Sequence, residues 1–184
     1  MELLTAVNLT LPALGEHVVT RIDVRHPTLA IILPIVEQKR RECLMRGWWF
    51  NEAPYTAFPD NEGLIFMPTN TLAFLPDCQV NAAIRDFKLY NLNARNFVWP
   101  SAVPGVLMED LAFNELPETV ATYVYYSALV QNYITDIGLE SVVQKWEEQA
   151  QVAEQNATQE HLRNKKYTTR KSRKYRHYIS ALRG

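Results

Sequence analysis

MRGWWFN, residues 45–51, is where this chain changes character. A run thick with charge, EQKRREC, leads into it; a glycine and three consecutive aromatics follow. Gly47 stands where a left-handed residue would stop a helix. Trp48, Trp49 and Phe50 have strand composition. The stretch therefore reads as a helix-to-strand corner, its aromatics closing a helical core and opening a sheet.

Upstream, Leu29, Ile32, Leu33, Val36, the stem of Arg40 and Cys43 recur at steps of three or four, which predicts an amphipathic helix over residues 27–46. Pro27 suits the first helical position. Pro34 removes the bond to the carbonyl of Ala30 and is expected to kink the helix or mark its effective start. Lys39, Arg40, Arg41 and Arg46 cluster toward the negative pole. The first fifteen residues predict a short helix on Ala6, Leu9 and Ala13, limited by Pro12 and ended by Gly15.

Downstream the period shifts to two. Strands are expected over residues 48–51, 64–67, 71–75, 82–87, 88–90, 96–99 and 106–112, broken by turn residues that include Pro54, Pro59, Gly63, Pro68, Pro76 and Pro104-Gly105. Helix returns at Pro117-Glu118, carrying Val120, Tyr123, Val124, Ser127, Ala128, Val130 and Ile134 to Asp136 and ending at Gly138. A second helix starts near Ser141, with Val142, Val143, Trp146, Ala150, Ala153, Ala157 and Leu162 on its apolar side. The order helix, sheet, helix pair gives an α+β fold: a helical bundle with an inserted small antiparallel β-sheet and an extended basic C-terminal tail. The expected parts are residues 1–47 and 114–162 for the bundle, 48–113 for the sheet and 163–184 for the tail.

The 184 residues are 47% apolar and 21% charged, which suits a chain with a real core rather than a disordered one. No run of about eighteen apolar residues predicts a membrane span, and the N-terminus lacks the positive region of a secretory signal. Cys43 and Cys78, far apart and outside any CxxC, fit two reduced thiols, although a single disulfide is also open. The net charge of −1 hides a segregation. Residues 1–162 hold ten Lys/Arg against all twenty Asp/Glu, a net of −10; residues 163–184 hold nine Lys/Arg and no acid, a net of +9.

Catalytic chemistry is hard to find. The histidines (His17, His26, His161, His177) are scattered without a second ligand at helical spacing, so no metal set is expected. No phosphate-cradling glycine loop and no GxSxG elbow occurs, so neither a cofactor nor a nucleophile is expected. Glu109-Asp110 and Glu147-Glu148 read as solvated acids, with Glu109 the one candidate for a hydrolase reading. Cys43 and the Trp48–Phe50 aromatics read as core. The chain is expected not to be an enzyme.

The C-terminal stretch does carry chemistry. Arg163, Lys165, Lys166, Arg170, Lys171, Arg173, Lys174 and Arg176 interleave with Tyr167, Tyr175 and Tyr178, and Ile179 and Leu182 follow. Such a composition suits docking on an acidic protein surface. It equally suits phosphate contacts with base stacking, which makes a DNA-binding protein the alternative. A solvated end is the third reading.

In their order, these residues resemble the head-to-tail adaptors of short-tailed phages, the family also called tail tubular protein A or gatekeeper. AVNLTLPALGEH matches at Ala6, Val7, Asn8, Leu11, Gly15 and Glu16; MRGWWFN matches at Arg46, Gly47, Trp48, Phe50 and Asn51. LIFMPTNTLAF matches at Ile65, Pro68, Asn70 and Leu72, and IRDFKLYN at Arg85, Leu89, Tyr90 and Asn91, with Asp86-Phe87 where the family usually has two glycines. AFNELPE matches at Phe113, Leu116, Pro117 and Glu118. The resemblance implies a structural virion protein, made in the host cytoplasm and placed in the tail below the portal vertex. It implies a dodecamer ring between portal protein and tail nozzle (tail tubular protein B-like) that continues the channel for genomic DNA, without sequence-specific binding and without a membrane. On that reading the basic tail docks on the portal or a neighbouring subunit, and Glu140, Glu147, Glu148 and Glu154 are candidates to face the lumen.

Overall fold

The computed structural model describes residues 1–77 and 80–166. The α+β architecture is as expected: among the described residues there are four α-helices and two small antiparallel sheets, with a hydrophobic core in each part.

Helix α1 (Leu3–Thr10) tightens into a 3-10 turn over Leu11–Leu14 and stops at Gly15, whose φ is 77°. Its inner face is Ala6, Val7, Thr10 and Leu11. Leu9, expected on that face, is half exposed, because the buried stripe lies one step further round the helix. Helix α2 (Leu29–Leu44) begins two residues after Pro27 and runs through Pro34 without a break. Its buried side, Leu29, Ile32, Val36, Arg40 and Cys43, keeps the expected spacing, and Leu44 adds to it.

Residues 48–51 are a turn and not the expected strand. The Asn51 and Glu52 N–H groups bond back to the Trp48 carbonyl at 3.2 and 3.1 Å, so the aromatics stay with the helical core. Pairing begins with β1 (Glu52–Ala57). Strands β2 (Thr71–Pro76), β3 (Ala82–Arg85), β4 (Lys88–Asn91) and β5 (Val103–Glu109) follow. The first sheet has the order β1-β5-β2, antiparallel throughout; β3 and β4 form a hairpin.

Two proline sites expected to break strands lie inside them. Pro54 is in β1, an edge strand, opposite Val106. The Pro104 carbonyl accepts from Asp77, so even-numbered residues of β5 bond toward β2, and Pro54 turns its missing donor to the open edge. Pro104 sits where β2 has already ended at Pro76. Residues 64–67 and 96–99 make only isolated bridges, Leu64 with Val98, Phe66 with Lys88 and Asn91 with Asn96. They still cover the second core, where Ile65, Met67 and Trp99 pack with Ala57, Phe74, Leu89, Val103 and Leu107.

Helix α3 (Glu118–Asp136) opens after Pro117, and Gly138 follows its end. Its buried positions are Val120, Ala121, Val124, Tyr125, Ala128, Leu129, Asn132 and Tyr133; neither Val130 nor Ile134 is among them. Helix α4 (Ser141–Asn164) returns along α3 and buries only Val143, Ala153 and Ala157; Leu162 is half exposed.

Candidate assembly interface

The corner at residues 45–52 is where the helical bundle and the sheets are joined. Gly47 has φ 72° and gives its N–H to the Leu44 carbonyl at 3.1 Å, ending α2 in the left-handed manner. A side chain there would also collide with the Glu52 carboxylate and the Met108 methyl group. Asn51, 1% exposed, ties three segments together. Its Oδ1 accepts from the Trp48 N–H at 2.8 Å; its Nδ2 donates to the carbonyls of Leu44 and Glu109 at 3.1 and 3.2 Å. The Glu109 N–H completes the tie by donating to the Asn51 carbonyl at 2.8 Å.

Helix α4 closes over the same corner. Trp48 donates its indole N–H to the Cys43 carbonyl at 2.8 Å and meets the His161 ring edge-on, with centroids 5.5 Å apart. The Trp49 N–H donates to Nδ1 of His161 at 3.2 Å. Burial and the nearby Lys165 charge hold His161 below its ordinary pKa, which keeps that nitrogen an acceptor. Arg46 reaches Glu154 by salt bridge and donates to the Tyr123 hydroxyl at 2.7 Å, linking α2 to both later helices. Lys165, just past α4, pairs with Glu52 of β1.

Arg40 is the second tie. Its guanidinium, buried among the helices, bonds to Glu37, Asp110 and the Leu111 carbonyl, so the chain leaving β5 is bound to the middle of α2. Arg41 adds to Asp110 at 3.1 Å. Burial alone would raise the Asp110 pKa, but the hydrogen bonds and charges of Arg40 and Arg41 outweigh it and hold the carboxyl below its usual range. Glu37 is lowered as well, first by its hydrogen bond from Arg40. Cys43 is a core thiol: burial pushes its pKa up to about 12.

A sequence model of the family described as "Tail tubular protein" matches residues 4–167. The chain belongs to the tail tubular protein family. It is 33% identical over 174 residues, 94% of each chain, to "Tail tubular protein A" of Klebsiella phage KP34. It is accordingly a structural protein of a phage tail.

The motif residues found in the sequence of this tail tubular family member fall at five places in the fold. Arg46, Gly47, Trp48, Phe50 and Asn51 make the corner, where Phe50 stacks on Trp48 at 6.4 Å. Asn8 binds the loop after α1 through both amide atoms, to the Val19 carbonyl and N–H at 2.9 and 2.8 Å. Beside it Glu16, after the Gly15 turn, accepts from the Thr28 hydroxyl at 3.2 Å. Pro68 and Asn70 set the entry to β2: the Pro68 carbonyl accepts the Thr71 N–H, and Asn70 binds Asp110 and Glu109. Arg85 lies over the Tyr90 ring at 3.9 Å, Leu89 is core, and Leu116-Pro117-Glu118 opens α3.

Of the basic residues expected to dock, Arg163 belongs to the last turn of α4, Lys165 caps it, and Lys166 has φ 46°. Tyr167, Arg170, Lys171, Arg173, Lys174, Tyr175, Arg176, Tyr178, Ile179 and Leu182 lie outside the described residues, as does Cys78. The acids suggested for a lumen are partly engaged: Glu154 with Arg46, and Glu140 with the Tyr133 hydroxyl at 2.7 Å. Glu109 accepts from Asn70 at 3.3 Å, at the end of β5. The ties made by Arg40 and His161 escaped the sequence reading. The one signal in the sequence is Arg40 itself, a charged residue on the apolar face of α2.

Proposed function

We propose that this chain is the head-to-tail connector of its phage, standing as a ring between portal and tail nozzle and continuing the DNA channel. The supporting observation is the charge segregation together with where it divides. The body carries a net of −10 over residues 1–162, and nine basic residues lie in 163–184. The end of α4 is held to the corner by His161 and Lys165, so the basic segment departs from a point fixed against both lobes. An acidic body repels DNA phosphate and lets a duplex pass without sticking. The basic segment grips the portal or a neighbouring copy, with tyrosines and aliphatics supplying the part of the contact that salt does not screen.

The test is to mix the chain with the portal ring of the same genome and measure the mass by light scattering. The shortened form should end after Lys166, because α4 continues to Asn164 and Lys165 pairs with Glu52. A multi-copy complex for the full chain alone supports both the connector and the grip. Complexes for both forms keep the connector and reassign the tail. No complex for either form overturns the proposal, and a duplex-DNA titration with a steep salt slope would then favour the DNA-binding reading.

A further inference from the structure

Two exposed features are only lightly engaged within the subunit, Glu140 by one hydrogen bond from the Tyr133 hydroxyl, and their chemistries are complementary. The first is the outer face of the β3–β4 lobe. Opposite the buried Ile65 and Leu89, Phe66 is 54% and Val98 52% exposed. Lys88 lies over the Phe66 ring at 5.1 Å, and Arg85 over Tyr90. Among the described residues neither cation pairs with a carboxylate, whereas Lys39, Arg40, Arg41, Arg46 and Lys165 all do. The cations cover the ring faces on which a nucleobase would stack. They leave a guanidinium edge and an ammonium beside apolar surface, which is a seat for carboxylates flanked by aliphatic groups.

The second feature is the turn between α3 and α4. Leu139 is 85% exposed and Ile137 45%. Asp136 and Glu140 flank them. Asp136 ends α3, where a negative charge faces the negative helix pole and is unfavourable within the subunit. The turn lies at the far end of α3 from the corner: Arg46 of the corner meets α3 at Tyr123, and the helix runs on from there to Asp136, a rise of about 20 Å.

We propose that this apolar-acidic turn seats on the basic-aromatic face of a second copy: Leu139 and Ile137 against Phe66 and Val98, Asp136 and Glu140 against Lys88 and Arg85. The contact is heterologous, so it propagates from copy to copy and closes into a ring where the rotation permits. A closed ring has no axial rise between neighbours, so turn and face lie at one height and the α3–α4 pair lies across the ring axis. The inference rests on the proposal that copies assemble in a ring.

Purified tails treated with a carbodiimide report the contact directly, because the reagent joins an amine to a touching carboxylate as an amide, taking up the water lost. The expected product couples Lys88 to Asp136 or Glu140 of another copy, a span too long within one chain. Leu139→Asp, at a position too exposed to affect folding, should keep the melting temperature and lose the multi-copy complex with the portal ring. Lys88→Glu should do the same, and combining it with Asp136→Lys should restore assembly. Coupling of Lys88 only to a different protein, or a Leu139→Asp chain that assembles like the parent, overturns the contact and leaves the connector standing. A parent chain that forms no multi-copy complex overturns both.

Discussion

The helical body and the β lobe use their cations in opposite ways. In the body Arg40 is shared by Glu37 and Asp110, Arg46 joins Glu154, and Lys39 joins Glu42. In the lobe Arg85 and Lys88 lie over aromatic rings, and large apolar side chains such as Phe66, Phe87 and Val98 stay exposed. These body cations are closed on the body's own acids, and Arg85 and Lys88 of the lobe are left open.

The comparison breaks first at Arg40. Arg40→Ala should lower unfolding stability by about 3–5 kcal/mol, since it strips a buried guanidinium from two acids and a carbonyl. Chemical denaturation measures it, and Lys at 40 should rescue little because it lacks the fork. Arg85→Ala in the lobe should cost under about 1 kcal/mol. A reversed order would mean that the lobe, not the body, is the closed half.

At the junction, Asn51→Ala removes the partner of the Trp48 N–H, the donor to the Glu109 carbonyl and one of two donors to the Leu44 carbonyl, and should cost about 3 kcal/mol. Asn70→Ala loses one exposed side-chain bond at 3.3 Å and should shift stability by less than about 0.5 kcal/mol. Two glycines sharpen the point by differing only in surroundings. Gly15→Ala meets open space at φ 77° and should cost about 1 kcal/mol of backbone strain. Gly47→Ala adds a collision with Glu52 and Met108 and should cost measurably more in the same thermal melt.

One expected effect is a gain. Asp86 and Phe87 turn the β3–β4 hairpin at φ 48° and 57°, the geometry of a two-residue turn that favours Asn-Gly. Replacing the pair by Asn-Gly should stabilise the lobe by about 1 kcal/mol and slow hydrogen exchange in β3 and β4. The body's exchange should not change.

The two halves also differed in how readily the sequence could be read. The face of α2 was legible from period alone, Arg40 included, and Gly15, Gly47 and Gly138 marked where helices end. In the lobe, composition misled. Trp48–Phe50 looks like strand but is held in a turn by Asn51, a tertiary tie with no local signature. Pro54 and Pro104 look like breaks, yet each sits where a strand needs no donor, which only the strand order reveals. Residues 64–67 and 96–99 alternate as strands do, but they find too few partners to build a ladder. The family motif at 46–51 was legible as a pattern, and the structure supplies its reason: it is the joint of bundle and sheet. The role of His161 in that joint was not legible, because its partner Trp49 lies more than a hundred residues away in the chain.

The most direct test of the open lobe and of the turn proposed to cover it is hydrogen exchange, compared peptide by peptide between the free chain and the chain in assembled tails. The account predicts new protection over residues 64–66, 85–98 and 136–140, with α1 and the buried face of α2 unchanged. New protection confined to α1 and α2, with the lobe exchanging as it does in the free chain, would contradict it.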